Sequence, residues 1–200
     1  MQDVSEKPKL IVDCDGVLLD PLRGFTRWVL SYLPSMKLSD ILKNKSLVHL
    51  LIGEFLSSKN FSNIPPKPMA VDAISFLSKH FSIDVITSCG NSNFVRNSRF
   101  ENLDKMFGLE NFSGIYILPY LSQKRNIFTN YEKGATVIDD ELLNIVDAVS
   151  CGHNAYWMKY HQKLFKILFH SKTKIPSQHK PKLHTTNWSD IIKTLSQNIR

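Results

Sequence analysis

Two aspartates one residue apart, Asp13 and Asp15, are the residues whose types and spacing most directly suggest chemistry. They follow the apolar run 10–12 and directly precede Gly16, which favours a turn. An apolar run that ends in this way is typical of a buried parallel strand. Two acids this close repel each other unless a proton or a cation intervenes. Mg²⁺ prefers oxygen ligands, so the pair predicts a magnesium site. The alternative for the same letters is a turn that carries two solvated acids.

A second pair of acids, Asp139 and Asp140, follows the apolar run 135–138. The carboxyl ends of parallel strands meet at one edge of an open α/β sheet, where such folds bind ligands. Keeping adjacent carboxylates at such a place without a metal or a partner charge is unfavourable. We therefore expect a metal ion or a partner charge beside this second pair.

The string from Leu10 to Asp20, an apolar strand followed by D-x-D-G-V-x-x-D, resembles the first signature of the haloacid dehalogenase (HAD) superfamily of phosphohydrolases. Three later strand ends are similar to the other signatures of that family, in the same order. Thr87 aligns best with the phosphate-binding hydroxyl of the second signature, and Ser88 aligns second best. The resemblance implies an α/β fold with a Rossmann-like, HAD-type, three-layer parallel sheet core.

The resemblance also implies catalytic roles. Asp13 is the expected nucleophile, which forms an aspartyl-phosphate, and Asp15 is the expected general acid and base. An acid at position 15 is typical of the phosphatase branches. Lys124 is the expected lysine of the third signature by its spacing, with Lys133 and Arg125 as alternatives.

The expected cofactor is Mg²⁺, and the resemblance implies its ligands. These are Asp13, Asp140 and the backbone carbonyl of Asp15. Asp139 is expected to support the ligands or to replace Asp140, and Asn144 to orient the loop.

The elements that position these residues follow from apolar periodicity. Asp20 is predicted to cap a helix that begins at residue 21. Helical spacing predicts several helices over residues 21–64, a span much longer than a crossover between strands requires. We expect this span to be a small helical cap inserted into a core formed by residues 1–20 and 65–200. Phe25 and Trp28 are the candidate substrate contacts in the cap, and ordinary helix packing is the alternative for its aromatic residues.

The last part of the chain has a different composition. Residues 152–158 are predicted to form a fifth strand at the sheet edge, before a lysine- and histidine-rich loop over 171–185. Asn187 is predicted to cap a terminal helix. The net charge of +7 arises mainly from residues 159–184, which predict either a weak contact with a polyanion or a solvated basic surface.

Composition limits the class of protein further. With 42% hydrophobic residues the chain can bury a core, and no apolar stretch approaches the roughly 20 residues of a membrane span. The polar N-terminal residues predict no signal peptide, and three cysteines without pairing spacing favour a reducing compartment. We therefore expect a cytoplasmic protein without a membrane partner.

The expected function is Mg²⁺-dependent hydrolysis of a small phosphorylated metabolite. The helical insertion and the opening string 15–20 are similar to the 5′(3′)-deoxyribonucleotidase branch, which implies a (deoxy)nucleoside monophosphate as substrate. One alternative is a phosphatase that acts on a nucleic-acid end or on another phosphate. The other is a non-catalytic protein of this fold that binds nucleic acid or anions.

Overall fold

Six parallel strands form one sheet in the part of the chain that the structure describes. The structure is a computed structural model, and it describes residues 7–120, 122–159, 181–185, 187–197 and 199. The strands are β1 (Lys9–Val12), β2 (Ser82–Ser88), β3 (Gly114–Leu118), β4 (Thr136–Asp139), β5 (Asn154–Met158) and β6 (Leu183–Thr185). Their order across the sheet is β3-β2-β1-β4-β5-β6.

Helices connect the strands. The cap predicted from Asp20 is present, since its side chain accepts a hydrogen bond from the backbone N–H of Arg23 at 3.0 Å. Asn187 likewise caps the last helix by accepting from the N–H of Asp190. The α-helices are α1 (Pro21–Tyr32), α2 (Leu38–Lys43), α3 (Lys45–Leu56), α4 (Ala70–Leu77), α5 (Asn93–Phe107), α6 (Arg125–Phe128), α7 (Leu142–Ser150) and α8 (Trp188–Ser196), with 3₁₀ helices at Lys59–Asn63 and Leu109–Asn111.

The sheet is covered on both faces. Leu10 and Val12 of β1 pack into one hydrophobic cluster, and Ile11 between them packs into a second one. Side chains alternate along a strand, so the two clusters lie on opposite faces. The predicted three-layer, Rossmann-like α/β fold is confirmed.

The strand order reverses between β1 and β4, which are neighbours in the sheet. From β1 the chain builds the sheet outward through β2 and β3, and from β4 it builds in the other direction through β5 and β6. In open α/β sheets a crevice forms outside the carboxyl ends of the strands at such a reversal. Both predicted acid pairs follow these two strands.

Residues 21–64 are helical, as the periodicity predicts. The two ends of this segment lie side by side, because the backbone N–H of Asp20 donates to the carbonyl of Pro65 at 2.8 Å. The N–H of Lys67 donates to the carbonyl of Leu18, also at 2.8 Å. An inserted unit needs such adjacent ends, and the division into a core and a cap stays a prediction.

The prediction that the fifth strand lies at the sheet edge is wrong. Strand β6 pairs in parallel with β5, with Tyr156 opposite Leu183, and it takes the edge position. The sequence predicts a loop there because a strand of three residues is too short for its alternation to stand out. Its position depends on pairing with a strand that is distant in the chain.

Most of the basic segment 159–184 lies outside the described residues, which resume at residue 181. The predicted polyanion contact through that segment therefore stays a prediction. Among the described residues, no helix has the length and apolar character needed to cross a membrane.

Candidate active site

A tight turn after β1 positions the first acid pair. The backbone N–H of Asp13 donates to the carbonyl of Ile138 at 2.9 Å, which continues the pairing of β1 with β4. The turn then closes where the N–H groups of Leu18 and Leu19 both donate to the carbonyl of Cys14 at 2.9 Å. The indole Nε1 of the fully buried Trp188 donates to the carbonyl of Val17 at 2.9 Å, so α8 supports this turn from outside.

Three carboxylates from the two acid pairs meet at this edge. One oxygen each from Asp13, Asp139 and Asp140 can be chosen so that all three lie within 4.8 Å of one another. Gly16 permits this approach, because its φ is +83° and a Cβ there would lie 2.2 Å from Oδ2 of Asp140. The structure thus brings together acids that are more than 120 residues apart in the chain.

Lys124 lies among these acids. Its Nζ donates to Oδ1 of Asp13 at 2.6 Å and to Oδ2 of Asp139 at 2.7 Å, and its side chain is buried. Burial lowers the pKa of Lys124, but the two carboxylates together raise it above its usual value, so the ammonium stays charged. We call Asp13, Asp139, Asp140 and Lys124 the site cluster.

With all of its acids ionised, the site cluster would hold more negative than positive charge. Burial raises the pKa of Asp13 to about 7, against the opposing effect of Lys124. Burial, followed by the charges of Asp13 and Asp139, raises the pKa of Asp140 well above its usual value. Three acids and one ammonium therefore suit an additional cation, and oxygen ligands of this kind suit Mg²⁺.

Asp139 and Asp140 have different surroundings. Oδ1 of Asp139 accepts from the N–H of Glu141 at 2.8 Å, and Nδ2 of Asn144 lies 3.1 Å from both carboxylate oxygens. Asp140 lines the cavity described below, and the indole of Trp157 donates to its backbone carbonyl at 2.9 Å. These contacts support Asp140 as the ligand and Asp139 as the residue that orients Lys124.

The structure places the alternatives for the lysine elsewhere. Arg125 pairs with Asp147 at 3.3 Å and is half exposed. The side chain of Lys133 packs beside Gly152. Among the three basic candidates, Lys124 is the one that contacts the acids of the site cluster. Its catalytic role stays a prediction.

The two candidate hydroxyls also differ. Oγ of Ser88 donates to the carbonyl of Pro119 at 2.5 Å and accepts from the N–H of Ser122 at 3.1 Å, so it joins two loops. Thr87 and Ser88 both line the cavity, but the Ser88 hydroxyl is held by these two loop contacts, whereas Thr87 is almost completely buried near the end of the same strand. The geometry favours Thr87 as the residue that meets a phosphate.

Asp15 has a partner that sequence analysis misses. Nη2 of Arg99 donates to Oδ1 of Asp15 at 2.8 Å and to Oδ2 at 2.7 Å, and Arg99 is completely buried. A signal for this residue exists in α5, where Val95, Arg99 and Leu103 lie on one buried helix face. A charged residue within such a stripe indicates a buried partner.

A cavity of about 1130 Å³ opens above the acids. Thr87, Lys124 and three aspartates lie on its sheet side. Its other wall comes from the helical segment 21–64, with Phe25 among the lining residues. Further lining residues are Leu22, Ile52, Phe55, Leu56, Phe61, Val95, Tyr120, Leu143, Trp157 and Lys159.

Trp28, the other candidate substrate contact, does not line this cavity. Its ring stacks on Tyr32 at a centroid distance of 4.9 Å and packs against Phe55 at 5.5 Å. These contacts are those of a residue that stabilises the helical segment. Phe25 is therefore the better supported candidate.

By sequence, no family model and no curated protein matches this chain. Solved structures match it in fold. YfnB from Bacillus subtilis, assigned as a HAD-hydrolase and crystallised with magnesium, has a TM-score of 0.63 at 13% identity, over 96% of this chain and 99% of that chain. L-2-haloacid dehalogenase from Xanthobacter autotrophicus has a TM-score of 0.65 at 8% identity, over 96% and 99%.

A third match, a Clostridium difficile protein assigned as a phosphatase, has a TM-score of 0.63 at 16% identity, over 96% of this chain and 99% of that chain. Identities this low establish a common fold and nothing finer. The chain has the fold of the haloacid dehalogenase-like hydrolases.

Proposed function

We propose that this protein is a Mg²⁺-dependent phosphomonoester hydrolase that acts through an aspartyl-phosphate on Asp13. One observation carries the proposal. Asp13, Asp139 and Asp140 converge beside Lys124, and Asp15, two residues after Asp13, lines the same cavity. The arrangement lies at the reversal of strand order, where folds of this kind bind ligands.

The residues present fit a magnesium ion. Three carboxylates lie together and one ammonium contacts two of them, so a divalent cation would balance the remaining charge. Asp13, Asp140 and the backbone carbonyl of Asp15 are the proposed ligands, with Asp139 as a support for them. When bound, Mg²⁺ keeps Asp13 ionised and lowers the repulsion between its carboxylate and an anionic substrate.

In the proposed first step, a carboxylate oxygen of Asp13 attacks phosphorus while the bond from phosphorus to the leaving oxygen breaks. Asp15 donates a proton to that leaving oxygen. Lys124 and the hydroxyl of Thr87 stabilise the negative oxygens of the transferring group. The products are an alcohol and an aspartyl-phosphate.

In the proposed second step, a water molecule attacks the phosphorus of the aspartyl-phosphate and gives a proton to Asp15. The bond from phosphorus to the Asp13 oxygen breaks, which releases inorganic phosphate and restores both acids. Asp15 therefore acts first as an acid and then as a base. This division of roles distinguishes a phosphatase from a dehalogenase, in which the leaving group of the first step is a halide ion that needs no proton.

The cavity supports a small substrate with a ring. Its volume of about 1130 Å³ accommodates a nucleotide, and its wall opposite the acids is rich in apolar and aromatic side chains. Tyr120, which is about half exposed, offers a surface on which a base stacks, and the mostly buried ring of Phe25 contributes to the apolar lining. We propose a nucleoside monophosphate, including the deoxy forms, as the substrate class.

One observation favours a second candidate substrate. Lys159 lines the cavity, and its Nζ lies 5.1 Å from the centroid of the Trp157 ring. A cation beside an aromatic ring suits a further nucleotide and its phosphate. A 5′-phosphorylated oligonucleotide is therefore the alternative substrate.

The first experiment measures phosphate release from p-nitrophenyl phosphate with and without Mg²⁺, for the wild type and for Asp13→Asn. We expect activity that requires both the metal and Asp13. A wild-type protein that hydrolyses no phosphate ester, or that dehalogenates 2-haloacids instead, contradicts the proposal. The first of these two results leaves the non-catalytic, anion-binding alternative.

The second experiment compares kcat/KM for nucleoside monophosphates, sugar phosphates and a 5′-phosphorylated oligonucleotide. We expect the nucleoside monophosphates to give the highest values. A preference for sugar phosphates contradicts the proposed ring contact, and a preference for the oligonucleotide favours the alternative.

A further inference from the structure

Arg99 is a buried cation whose anionic partner is Asp15. It has no exposed surface, whereas the side chain of Asp15 is 26% exposed and lines the cavity. A single nitrogen, Nη2, contacts both carboxylate oxygens at 2.8 and 2.7 Å. Both oxygens of Asp15 are thus oriented by one group that reaches them from α5, 84 residues later in the chain.

The other side of Arg99 faces the end of the helical segment 21–64. Its guanidinium carbon lies 4.5 Å from the centroid of the Phe61 ring, a cation–π contact. The next helical turn adds a second link, because Nδ2 of Asn102 donates to the carbonyl of Ile64 at 3.0 Å. Nη1 of Arg99 lies 3.5 Å from Oδ1 of Asn102. Arg99 therefore lies between Asp15 and the segment that forms the cavity wall.

Stability alone does not account for an arginine here. Burial of a guanidinium is unfavourable unless its partners compensate, and apolar residues of similar volume often replace buried ion pairs without loss of stability. Nε of Arg99 has no hydrogen-bond partner among the described residues. The position therefore keeps a charge whose contacts are incomplete and whose carboxylate partner lines the cavity.

We propose that Arg99 is a positioning residue that orients the carboxyl group of Asp15 for proton transfer, in its protonated and its ionised form, and couples this orientation to the helical segment through Phe61. The inference depends on the proposed hydrolase function, because it assigns Arg99 to the proton-transfer step of that reaction. Arg99 itself does not line the cavity. Its effect on the rate passes through Asp15.

Leaving-group dependence tests this proposal. An alkyl oxygen leaves poorly without a proton, whereas p-nitrophenolate leaves readily without one. Loss of a positioned general acid therefore slows alkyl phosphates by about 100-fold and p-nitrophenyl phosphate by less than about 10-fold. We expect this pattern for Arg99→Met in the Mg²⁺-loaded full-length protein, with KM changed by less than about threefold.

A matched control is available on the same helix. Arg96 lies one turn before Arg99, is exposed and does not line the cavity. We expect Arg96→Met to keep the wild-type rate for both kinds of ester. We expect Arg99→Lys to recover part of the alkyl phosphate activity, because its ammonium retains a charge near Asp15.

A double-mutant cycle separates action through Asp15 from a general structural effect. In the Asp15→Asn background, Arg99→Met should lower the rate by less than a further factor of about three, because neither protein retains a positioned acid. Additive losses overturn the proposal, as does an equal loss on alkyl and p-nitrophenyl phosphates. If Arg99→Met does not fold, the same comparison with Arg99→Gln, which keeps a polar side chain but no charge, decides the question.

The outcomes also separate this inference from the proposed function. A wild-type protein without phosphatase activity overturns both. An active wild type in which Arg99→Met keeps full activity on alkyl phosphates overturns only the role of Arg99.

Discussion

Two buried groups of ionisable residues lie toward opposite ends of the parallel strands, and their charges differ. The site cluster at the carboxyl ends has three carboxylates and one ammonium. Near the start of β2, Asp84 is equally buried but is matched. Its carboxylate pairs with Lys9 at 3.2 Å and accepts from the hydroxyl of Tyr131 at 2.8 Å.

The difference shows how a site is distinguished from a structural ion pair. At Asp84 one negative charge meets one positive charge and a neutral donor, so the group needs nothing more. In the site cluster, three carboxylates that follow two different strands lie close together, and the single positive charge of Lys124 cannot balance all of their negative charge. The excess of negative charge, and not burial itself, marks the candidate metal site.

The largest expected difference concerns activity. Asp13→Asn removes the proposed nucleophile with little change in shape, so we expect phosphatase activity to fall by at least about 1,000-fold. Asp84→Asn is the matched control, and we expect its activity to stay within about threefold of the wild type. Initial rates with p-nitrophenyl phosphate and Mg²⁺ check both. Similar losses in the two variants remove the distinction between the clusters.

The next largest effect concerns stability. Lys124→Met leaves three buried carboxylates without their cation, so we expect the metal-free protein to lose about 3–5 kcal/mol of unfolding free energy. Lys9→Met should lose about 1–2 kcal/mol, because Asp84 keeps its hydrogen bond from Tyr131 and Lys9 is partly exposed. Urea unfolding in EDTA measures both values. A larger loss for Lys9→Met contradicts the comparison.

A smaller effect concerns magnesium itself. A ligand present at about 100 times its Kd stabilises the folded state by about 2.7 kcal/mol, and we expect Mg²⁺ to do so for the wild type and for Asp84→Asn. Asp140→Asn should lose most of this stabilisation. Thermal unfolding with and without Mg²⁺ checks the prediction. A full effect of Mg²⁺ in Asp140→Asn places the ion elsewhere.

The site cluster should also show a pH dependence. In the metal-free protein burial raises the pKa of Asp13 from 3.8 to about 7, so the folded state holds this proton more tightly than the unfolded state. The resulting stabilisation is complete below about pH 4 and is lost as the pH rises to about 7. Mg²⁺ must displace the proton at pH 6 but meets an ionised carboxylate at pH 8.

We therefore expect Mg²⁺ to stabilise the protein by ~1.4 kcal/mol more at pH 8 than at pH 6, which corresponds to about tenfold tighter binding. Unfolding at the two pH values, with and without the metal, measures this difference. Asp84→Asn should behave as the wild type does. Equal stabilisation at both values contradicts the role of Asp13 as a ligand.

The smallest expected effect is on kcat/KM, and it distinguishes the two candidate hydroxyls for the phosphate contact. Thr87→Val removes a hydroxyl that lines the cavity, so we expect kcat/KM to fall about 5- to 10-fold with little change in stability. Ser88→Ala breaks the contacts to Pro119 and Ser122, so we expect lower stability and a smaller change in rate. The reverse result assigns the phosphate contact to Ser88.

Much of the framework follows from local sequence. The apolar runs before Asp13 and Asp139 predict two buried strands, and both strands are present. Asp20 and Asn187 predict helix starts because a cap requires only its own helix. These features depend on residues within a few positions of each other, so one sequence suffices to locate them.

The choice among partners required the tertiary structure. The sequence does not distinguish among three basic candidates, Lys124, Lys133 and Arg125. Only folding brings Lys124 to Asp13, which lies 111 residues earlier in the chain. Arg99 reaches Asp15 in the same way.

The sequence by itself determined that two acid pairs end apolar strands of an α/β fold, because periodicity and strand-ending residues are local properties. The tertiary structure alone decided that these pairs share one lysine, that Ser88 is tied to a neighbouring loop, and that a short strand closes the sheet edge. The physical reason is that parallel pairing joins segments that are far apart in the chain. The charge balance at their ends is therefore set only when the sheet has formed.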